Sequence, residues 1–300
     1  MRALAWINRG GPDGCWGDPA ALALPMDARG VLLADGVFET VLVLQGQPQL
    51  LEAHLQRWQR SADLLHLGRT PAVQTVHSLV TEAIARSGIT NGALRLNWCR
   101  GSAARGLQPV RGDLDPDTAL FWLQLSPWQP RFAPVRVIVS PTERRQATSL
   151  LSQCKSFGYG SALIARLQAE RAGADDALLI SSSGGLCCGS SANLLVWSHG
   201  GWQTPPLSSG CLAGIMRQQA LELGLAHESP LDEDALSPNR SALLLNSLGC
   251  QPIHSVMGRN SDGWTALAAA EDRQASRQAE VLWHRLLDRE AASAATPAGA

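Results

Sequence analysis

Lysine and tyrosine are almost absent from this chain of 300 residues. Lys155 is the only lysine among the 25 residues that are Lys or Arg, and Tyr159 is the only tyrosine. A chain that places Arg at nearly every cationic position keeps Lys where Arg cannot replace it. Schiff-base formation is such a case, because an amine can lose its proton and attack a carbonyl while a guanidinium stays protonated. Lys155 is therefore a candidate nucleophile, and the alternative is a surface lysine that remains by chance.

Tyr159 follows Lys155 by four residues. If residues 155–159 open a helix, the two side chains share one face of it. A phenol at that place could hydrogen-bond a cofactor hydroxyl or tune the pKa of an imine on Lys155. An ordinary aromatic residue of the core or its rim is the alternative, and Tyr159 taken alone favours it.

Cysteine patterns that bind metal or form a disulfide framework are also missing. The count of seven is odd and no two cysteines have the C-x-x-C spacing, so we expect neither a metal site nor structural disulfides. Free, mostly buried thiols in a reducing cytoplasm fit this pattern best. The adjacent Cys187 and Cys188 are expected to be small buried residues, because a disulfide between neighbours is strained.

Signals for nucleic acid, for a membrane and for secretion are absent as well. The net charge is −1 without a basic patch, and no apolar run reaches the roughly 18 residues of a membrane span. The first residues include Arg2, Asn8, Arg9 and Asp13, where a signal peptide needs an apolar core. We therefore expect a cytoplasmic protein without a nucleic-acid or membrane partner.

The run Ser126-Pro127-Trp128-Gln129-Pro130 is the best candidate for an interdomain linker, residues 126–130. It separates a small α+β domain, residues 1–125, from a larger domain, residues 131–290, and residues 291–300 have the composition of a disordered tail. The predicted strands are 37–44, 93–99, 119–125, 135–139, 176–180, 193–197, 242–246 and 252–256. The predicted helices are 52–67, a segment from a Thr70-Pro71 cap to residue 86, 161–172, 214–223 and 265–287 with a break near Glu271, and residues 1–30 are predicted to be irregular.

Two glycine-containing turns are candidate phosphate sites. Residues 210–217 place glycines before a helix, where phosphate binding at the helix N-terminus and a plain capping glycine are equally good interpretations. Residues 246–249, Asn-Ser-Leu-Gly, end a strand with polar donors, although a plain turn is the simpler interpretation.

Two pairs of basic residues are candidate anion sites. His54 and Arg57 share a face of the first long helix, where one could bind an anion while the other orients it; two solvated side chains are the alternative. Arg100 and Arg105 flank the loop 101–104, and such a pair suits a carboxylate through bidentate contacts, with ordinary surface charge as the alternative.

Taken together, these stretches resemble the class IV aminotransferase family, the pyridoxal-phosphate enzymes of fold type IV. This family includes branched-chain and D-amino-acid aminotransferases and 4-amino-4-deoxychorismate lyase. The similarity runs from about residue 33 to 257. Its landmarks, in order, are Asp35–Thr40, His54–Arg57, Lys155–Tyr159, Gly173–Leu179, Gly189–Leu194 and Gly214–Arg217. The resemblance implies a small α+β N-terminal domain and a larger α/β pseudo-barrel domain, as in D-amino-acid aminotransferases.

The resemblance also implies a cofactor, pyridoxal 5'-phosphate, and a role for each matching residue. Lys155 is similar to the Schiff-base lysine, and Tyr159 to a tyrosine near the cofactor's phenolic oxygen. The residues that match the phosphate cup are Arg57, Ile215 and Met216 through their backbone, and Asn246 with Ser247. On the substrate side, Arg105 and Arg100 are expected to hold carboxylates and Thr40 to assist the leaving group. Members are usually homodimers that act on small molecules, and we expect the same here.

One departure from the family pattern is informative. Cys188 stands where the family usually has a Glu that holds a proton on the pyridine nitrogen and strengthens the electron sink. A transaminase depends on the full sink, whereas a lyase step that ends in an aromatic product has its own driving force. Asn246 and Met216 also look like the lyase versions, and Leu107 replaces a polar contact of the D-amino-acid enzymes.

We therefore expect a 4-amino-4-deoxychorismate lyase that releases pyruvate to give 4-aminobenzoate for folate synthesis. Three alternatives stay open. The first is a branched-chain or D-amino-acid aminotransferase, and the second is a cofactor-binding protein without turnover, given Cys188. The third is a structural α/β protein whose single lysine has no chemical role.

Overall fold

A computed structural model of the chain describes residues 2–9, 13–102, 106–107, 119–238, 240–258, 263–267 and 272–288. By its contacts the chain divides into two units: residues 1–129 with 154–158, and residues 130–153 with 159–300. The predicted disordered tail, 291–300, and the predicted helix break at Glu271 lie outside the described residues. Along the described chain, no helix combines the length and the apolar character needed to cross a membrane.

The first unit is one antiparallel sheet with its helices. Its elements are β1 (Leu4–Ile7), β2 (Cys15–Gly17), α1 (Arg29–Leu33), β3 (Gly36–Leu44), β4 (Gln47–Pro48), α2 (Leu51–Leu64), α3 (Val73–Ser87), β5 (Gly92–Cys99) and β6 (Leu120–Pro127). The strand order is β2-β1-β6-β5-β3-β4. Strands β1 and β2 correct the prediction that residues 1–30 are irregular. They are short, and β1 pairs with β6, which lies more than a hundred residues away in sequence.

The core of this unit lies between the sheet and its helices. Side chains of β3 alternate, so that Val37, Val41 and Val43 enter the core. The helix predicted over 52–67 is present as α2, and its residues Leu55, Trp58 and Ala62 are buried in the same cluster as the β3 valines. The indole N–H of Trp58 donates to the Val37 carbonyl at 3.3 Å, which ties α2 to β3.

Helix α3 begins later than the sequence predicts. Thr70-Pro71 was expected as its cap, but the helix begins at Val73 with Ala72 as N-cap and no side-chain cap. Thr70 is occupied elsewhere, because its N–H and its hydroxyl both donate to Gln59 Oε1 at 3.0 and 2.8 Å. These two bonds tie Thr70 to α2 instead of to the first turn of α3.

The second unit contains the larger sheet. Its elements are β7 (Val135–Arg145), α4 (Leu150–Gln153), α5 (Gly160–Arg171), β8 (Asp176–Ser181), β9 (Leu186–Gly189), β10 (Asn193–Ser198), β11 (Gly201–Thr204), α6 (Ile215–Glu222), β12 (Ala226–Glu228), β13 (Ala242–Asn246), β14 (Gly249–Met257), β15 (Thr265–Ala266) and α7 (Asp272–Leu287), with short 3₁₀ turns at Leu207–Ser209 and Glu233–Leu236. The helix predicted over 265–287, with a break near Glu271, is therefore wrong at its start, where Thr265 and Ala266 form a strand.

Six strands of this sheet close on themselves. The order β10-β13-β14-β7-β8-β9 returns to β10 through the pairing of Asn193 with Cys188. Strands β11 and β12 extend the sheet beyond β10, and β15 pairs with β14. The interior is apolar, with Val137, Leu178 and Leu194 fully buried. The predicted pseudo-barrel of the C-terminal part is confirmed, and it brings the ends of β9, β10 and β13 side by side.

The division of the chain differs from the predicted one in two places. Strand β6 continues to Pro127, so the first two residues of the predicted linker belong to the sheet. Residues Cys154–Gly158, which the sequence assigned to the larger domain with the rest of 131–290, group with the first unit. The reason is a backbone pairing with β3 that no local pattern reveals.

Candidate active site

Lys155 is held in place by its backbone. The Phe38 N–H donates to the Lys155 carbonyl at 2.8 Å, and the Phe157 N–H donates to the Gly36 carbonyl at 3.0 Å. The lysine segment is thus an extended piece of chain against the edge of β3. A backbone fixed from both sides leaves only the side chain free to adjust, which suits a residue that must aim an amine at a reacting atom.

Residues 155–159 do not open a helix, whereas the helix predicted over 161–172 is present as α5 (Gly160–Arg171). Ser156 forms an isolated antiparallel bridge with Val37, and α5 begins only at Gly160. Tyr159 is the N-cap residue of α5 and belongs to the second unit. The argument that Lys155 and Tyr159 share a helix face therefore fails, and the role of Tyr159 depends on the family resemblance alone.

The Lys155 amine lies over an aromatic ring. Its Nζ is 4.4 Å from the centroid of the Phe38 ring, a cation–π contact. The same ring carries the guanidinium of Arg95, whose Cζ is 3.5 Å from the centroid. Arg95 pairs with Thr40 across β5 and β3, so that amine, hydroxyl and guanidinium share one face of the sheet. The sequence analysis singled out Lys155 and Thr40 and missed Arg95.

Behind this face, on the side of α2, lies a buried charged triad. Glu39 is fully buried, and its Oε1 and Oε2 accept hydrogen bonds from Arg57 Nε at 2.8 Å and Nη2 at 2.6 Å. His54 Nδ1 is 2.7 Å from Glu39 Oε2. His54 and Arg57 are themselves buried, so the alternative of two solvated helix residues is excluded. Glu39 was part of a quoted motif, but no role was predicted for it.

Electrostatics fix the protonation states of the triad. Burial would raise the pKa of Glu39, but the Arg57 charge and the hydrogen bonds from His54 and Arg57 outweigh it and lower that pKa to about 2. Burial lowers the pKa of His54 further than its contact with Glu39 raises it. Glu39 is therefore an anion that can only accept hydrogen bonds. A neutral His54 must then carry its proton on Nδ1 and donate it to Glu39.

Arg100 is committed to the scaffold. Its Nε donates to Asp35 at 3.0 Å, and its Nη2 donates to the carbonyls of Leu65 and His66 at 3.1 and 2.6 Å, just past the end of α2. Carbonyls at the C-terminal end of a helix lack helical N–H partners, and the helix dipole favours a cation near them. We therefore withdraw Arg100 from the substrate site. Arg105, its predicted partner, lies outside the described residues.

In the second unit, the candidate phosphate site is the start of α6. Gly214 is the N-cap, with extended backbone and no side-chain cap for the first turn. A Cβ at Gly214 would collide with Oδ1 of Asn193, whose Nδ2 donates to the Leu212 carbonyl at 2.9 Å. Asn193 therefore shapes this turn and requires glycine there. The N–H groups of Ile215 and Met216 begin the helix and are oriented for an anion.

The predicted turn at 246–249 is built by Asn246 itself. Its Oδ1 accepts the Leu248 N–H at 2.8 Å, and its Nδ2 donates to the Ser191 carbonyl at 3.4 Å. The side chain thus supports an Asx-turn that presents Ser247, which is half-buried. Of the two residues predicted for the phosphate, Asn246 thus uses its side-chain oxygen and nitrogen within this turn.

Cys188 lies at the seam that closes the barrel. It is buried on β9 and pairs with Asn193 of β10, beside the strand that ends in Asn246. The neighbouring Cys187 is fully buried, and its Sγ donates to the Ser209 carbonyl at 3.3 Å. All seven cysteines are free and six are buried, as predicted. Among the described residues, no cluster of three His, Cys, Asp or Glu could hold a metal ion.

A family model described as "Amino-transferase class IV" matches residues 36–256. The chain belongs to the class IV aminotransferase family. It is 27% identical over 262 residues to a Mycobacterium tuberculosis protein named bifunctional aminodeoxychorismate lyase/D-amino acid transaminase, over 79% of this chain and 84% of the relative. It is 26% identical over 210 residues, 69% of this chain and 72% of the relative, to a Methanocaldococcus jannaschii protein provisionally named branched-chain-amino-acid aminotransferase.

The solved structures agree on the fold. One from Legionella pneumophila, provisionally identified as a 4-amino-4-deoxychorismate lyase, matches with a TM-score of 0.76 at 23% identity, over 89% of this chain and 97% of that one. The expected fold type IV architecture is thereby confirmed. The class IV aminotransferase family depends on pyridoxal 5'-phosphate, which is the cofactor that the resemblance implied.

Proposed function

We propose that the chain is a pyridoxal-phosphate-dependent lyase that converts 4-amino-4-deoxychorismate to 4-aminobenzoate and pyruvate, a step of folate synthesis. One observation carries the choice of a lyase within the family. Cys188, which the family resemblance aligns with the usual Glu of the electron sink, is a buried thiol. Aromatisation of the product ring supplies a driving force that transamination lacks.

The donor groups of the described site fit the cofactor. Pyridoxal phosphate, when bound, supplies an aldehyde that condenses with amines and a ring that withdraws electrons. Lys155 offers the single side-chain amine of the chain. Arg57 and the first-turn N–H groups of Ile215 and Met216, with Ser247, offer donors for the phosphate. The bare turn at Gly214, which a Cβ would obstruct, supports that assignment.

Lys155 is proposed to act at two moments through the same atom. Its Nζ holds the cofactor before the substrate arrives, and afterwards, unprotonated, it removes the proton from the ring carbon that bears the amino group. The backbone pairing of residues 155 and 157 with β3 keeps this amine over the Phe38 ring. Loss of that proton and departure of pyruvate make the ring aromatic, and the atoms of substrate and products balance without a further reactant.

Thr40 and Arg105 complete the proposal on the substrate side. Thr40 lies two residues beyond Phe38 on the same face of β3, from which its hydroxyl could hydrogen-bond the departing enol oxygen. Arg105 is proposed to bind a substrate carboxylate, on the strength of the resemblance. Tyr159 is proposed to contact the cofactor's phenolic oxygen on the same basis.

An amino-acid aminotransferase is the second candidate. The names of the two relatives favour it, since one is provisionally an aminotransferase of branched-chain amino acids and the other combines lyase and D-amino acid transaminase activities. Lys155 would serve either reaction. The two differ in whether the cofactor is converted to its amine form during turnover.

Product analysis separates these candidates. Purified protein loaded with pyridoxal phosphate is incubated with 4-amino-4-deoxychorismate, and 4-aminobenzoate and pyruvate are quantified. We expect equal amounts of both, and no conversion of the bound cofactor by L-Leu, L-Glu or D-Ala. Absence of 4-aminobenzoate, together with rapid conversion by an amino acid, would establish the aminotransferase instead. The variant Arg86→Ala on α3, away from Lys155, removes an exposed ion pair with Glu82 and a contact with the Trp16 ring, and it serves as the control.

We also propose that the chain forms a homodimer, as family members usually do. Helix α5 supports this, because Leu163, Ile164 and Leu167 are 67, 46 and 40% exposed on it. Apolar side chains grouped on one helix commonly mark a protein interface. Analytical ultracentrifugation should give twice the mass of 32.0 kDa. The double variant Leu163→Glu/Leu167→Glu should give the monomer, and a monomeric wild type would refute the proposal.

A further inference from the structure

The carboxylate of Glu39 is the one charged group on the core side of the described part of β3. Its neighbours on that side, Val37 and Val41, are completely buried and apolar. Replacing a buried ion pair by apolar residues is often neutral or even stabilising, so stability alone does not account for Glu39 and Arg57 in this place. The buried ion pair is better explained by its effect on the orientation of the Arg57 guanidinium.

The contacts of Glu39 fix one edge of the Arg57 guanidinium. Nε and Nη2 point at Oε1 and Oε2, the bidentate geometry that sets the plane of the group as well as its position. His54 donates to the same carboxylate and prevents it from rotating. A guanidinium has five N–H donors, and the edge with Nη1 lies away from this pair.

We infer that Glu39 is a positioning residue that orients Arg57 toward the phosphate of the cofactor. It acts through Arg57 and does not itself touch the phosphate, which it would repel. His54 supports Glu39 from the preceding turn of α2. This inference rests on the proposed function, because it requires that pyridoxal phosphate is bound. It assigns to the motif Asp35–Thr40 a task that the sequence did not reveal.

Two ligands that differ by the phosphate alone provide the test. Apoprotein is titrated with pyridoxal 5'-phosphate and with pyridoxal, and the two dissociation constants are obtained from absorbance. In the variant Glu39→Gln, we expect the constant for pyridoxal phosphate to rise at least about tenfold, the effect of one lost charge-assisted hydrogen bond. The constant for pyridoxal should stay within about twofold, since that ligand has no phosphate to bind.

A double-variant comparison shows whether Glu39 acts through Arg57. The variant Arg57→Gln should lose the same preference for the phosphorylated ligand, and adding Glu39→Gln to it should cause no further loss. The variant Ser61→Ala, also buried on α2 one turn beyond Arg57, should keep the wild-type preference. If Glu39→Gln does not fold, Glu39→Asp is used, whose shorter carboxylate cannot reach both arginine nitrogens and should show a smaller loss in the same direction.

The outcomes are distinguishable. Equal losses for both ligands in the Glu39 variant would show a structural role and overturn the inference, as would unchanged constants. Additive losses in the double variant would also overturn it, because Glu39 would then act independently of Arg57. If the wild type binds neither ligand, the proposed function fails first. If the wild type binds pyridoxal phosphate tightly and Glu39→Gln does too, only this inference fails.

Discussion

At the scale of single residues, the buried triad of Glu39, His54 and Arg57 makes the first unit sensitive to acid. The pKa of Glu39 is lowered from 4.5 to about 2 because Arg57 and His54 outweigh the effect of burial, and burial lowers the pKa of His54 below 6.5. Both groups therefore bind protons more tightly in the unfolded chain. The stability that they contribute is complete above pH 6.5 and is lost as the pH falls toward 2.

Urea unfolding of the apoprotein between pH 7.5 and 3 checks this sign. The free energy of unfolding should fall from pH 6.5 downward, and Glu39 should account for on the order of a few kcal/mol of the loss below pH 4.5. The variant Glu39→Gln should be less stable at pH 7.5 and should lose less on acidification. A wild-type stability that stays level from pH 6.5 to 4, or equal slopes in both proteins, would contradict the assignment.

The residue at position 188 is predicted to influence whether the chain favours the lyase reaction or transamination. In Cys188→Glu, a carboxylate returns to the place where the family usually has one, and the stronger electron sink should raise the rate of the amino-acid half-reaction by about tenfold or more. Stopped-flow absorbance with L-Glu and D-Ala measures that rate. Cys188→Ser is the matched control, because a hydroxyl brings no charge. Equal rates in the Glu and Ser variants would remove the argument that links Cys188 to lyase chemistry.

Single residues were predicted correctly from sequence where their residue type is rare in the chain. They were not where their role depends on partners that are distant in sequence. The single lysine stood out by composition, and His54 and Arg57 by their shared helix face. The sequence does contain a signal for the role of Glu39, because a carboxylate at a core-facing position of a strand needs a buried partner. Arg100 could not be separated from a substrate-binding arginine, because its partners Asp35, Leu65 and His66 meet only in the folded chain.

At the scale of elements, the turn before α6 depends on a missing side chain. In Gly214→Ala, the new Cβ would collide with Asn193 Oδ1, and either the turn or the asparagine must move. We expect the free energy of unfolding to fall by about 1–3 kcal/mol. Relative to wild type, the affinity for pyridoxal phosphate should fall more than the affinity for pyridoxal. Thermal unfolding and the same titrations measure both effects.

The matched control is Gly160→Ala, at the first position of α5. A Cβ there would meet nothing within 4 Å, and Ala is the better helix former by about 1 kcal/mol. That variant should be as stable as the wild type or slightly more so. If both alanine variants behave alike, the turn at Gly214 tolerates a side chain and the proposed phosphate site at α6 loses its structural support.

Elements with a clear local period were predictable, and those defined by distant pairing were not. Helix α2 was found within a few residues because its apolar residues repeat at helical spacing, and α3 because Pro71 marks the region where it begins. Strands β1 and β2 were hidden in a glycine-rich region, since only β6, far along the chain, makes them strands. Residues 155–158 gave no local sign of their pairing, because their partner, the edge of β3, is also distant in sequence.

At the scale of the whole molecule, the closed sheet of the second unit explains how residues of β9 and β10 come to lie next to the turn before α6. Closure between β9 and β10 places Cys188 beside Asn193, and Asn193 in turn shapes the turn that precedes α6. In the first unit the lysine segment lies against the edge of β3, the strand that carries Glu39, and Arg57 of α2 binds Glu39. Class IV membership was predictable from the order of the motifs, whereas the choice between lyase and aminotransferase was not, because it depends on the substrate.

The most direct test of the central claim is reductive trapping of the cofactor on the intact chain. The claim is that the amine of Lys155, the only lysine, carries pyridoxal phosphate. After borohydride reduction, intact-mass spectrometry should show one cofactor per chain, and peptide mapping should place all of it on the peptide that contains Lys155. Lys155→Arg should remain unlabelled and without turnover. A label found only at the α-amino group, or full turnover by the arginine variant, would contradict the account.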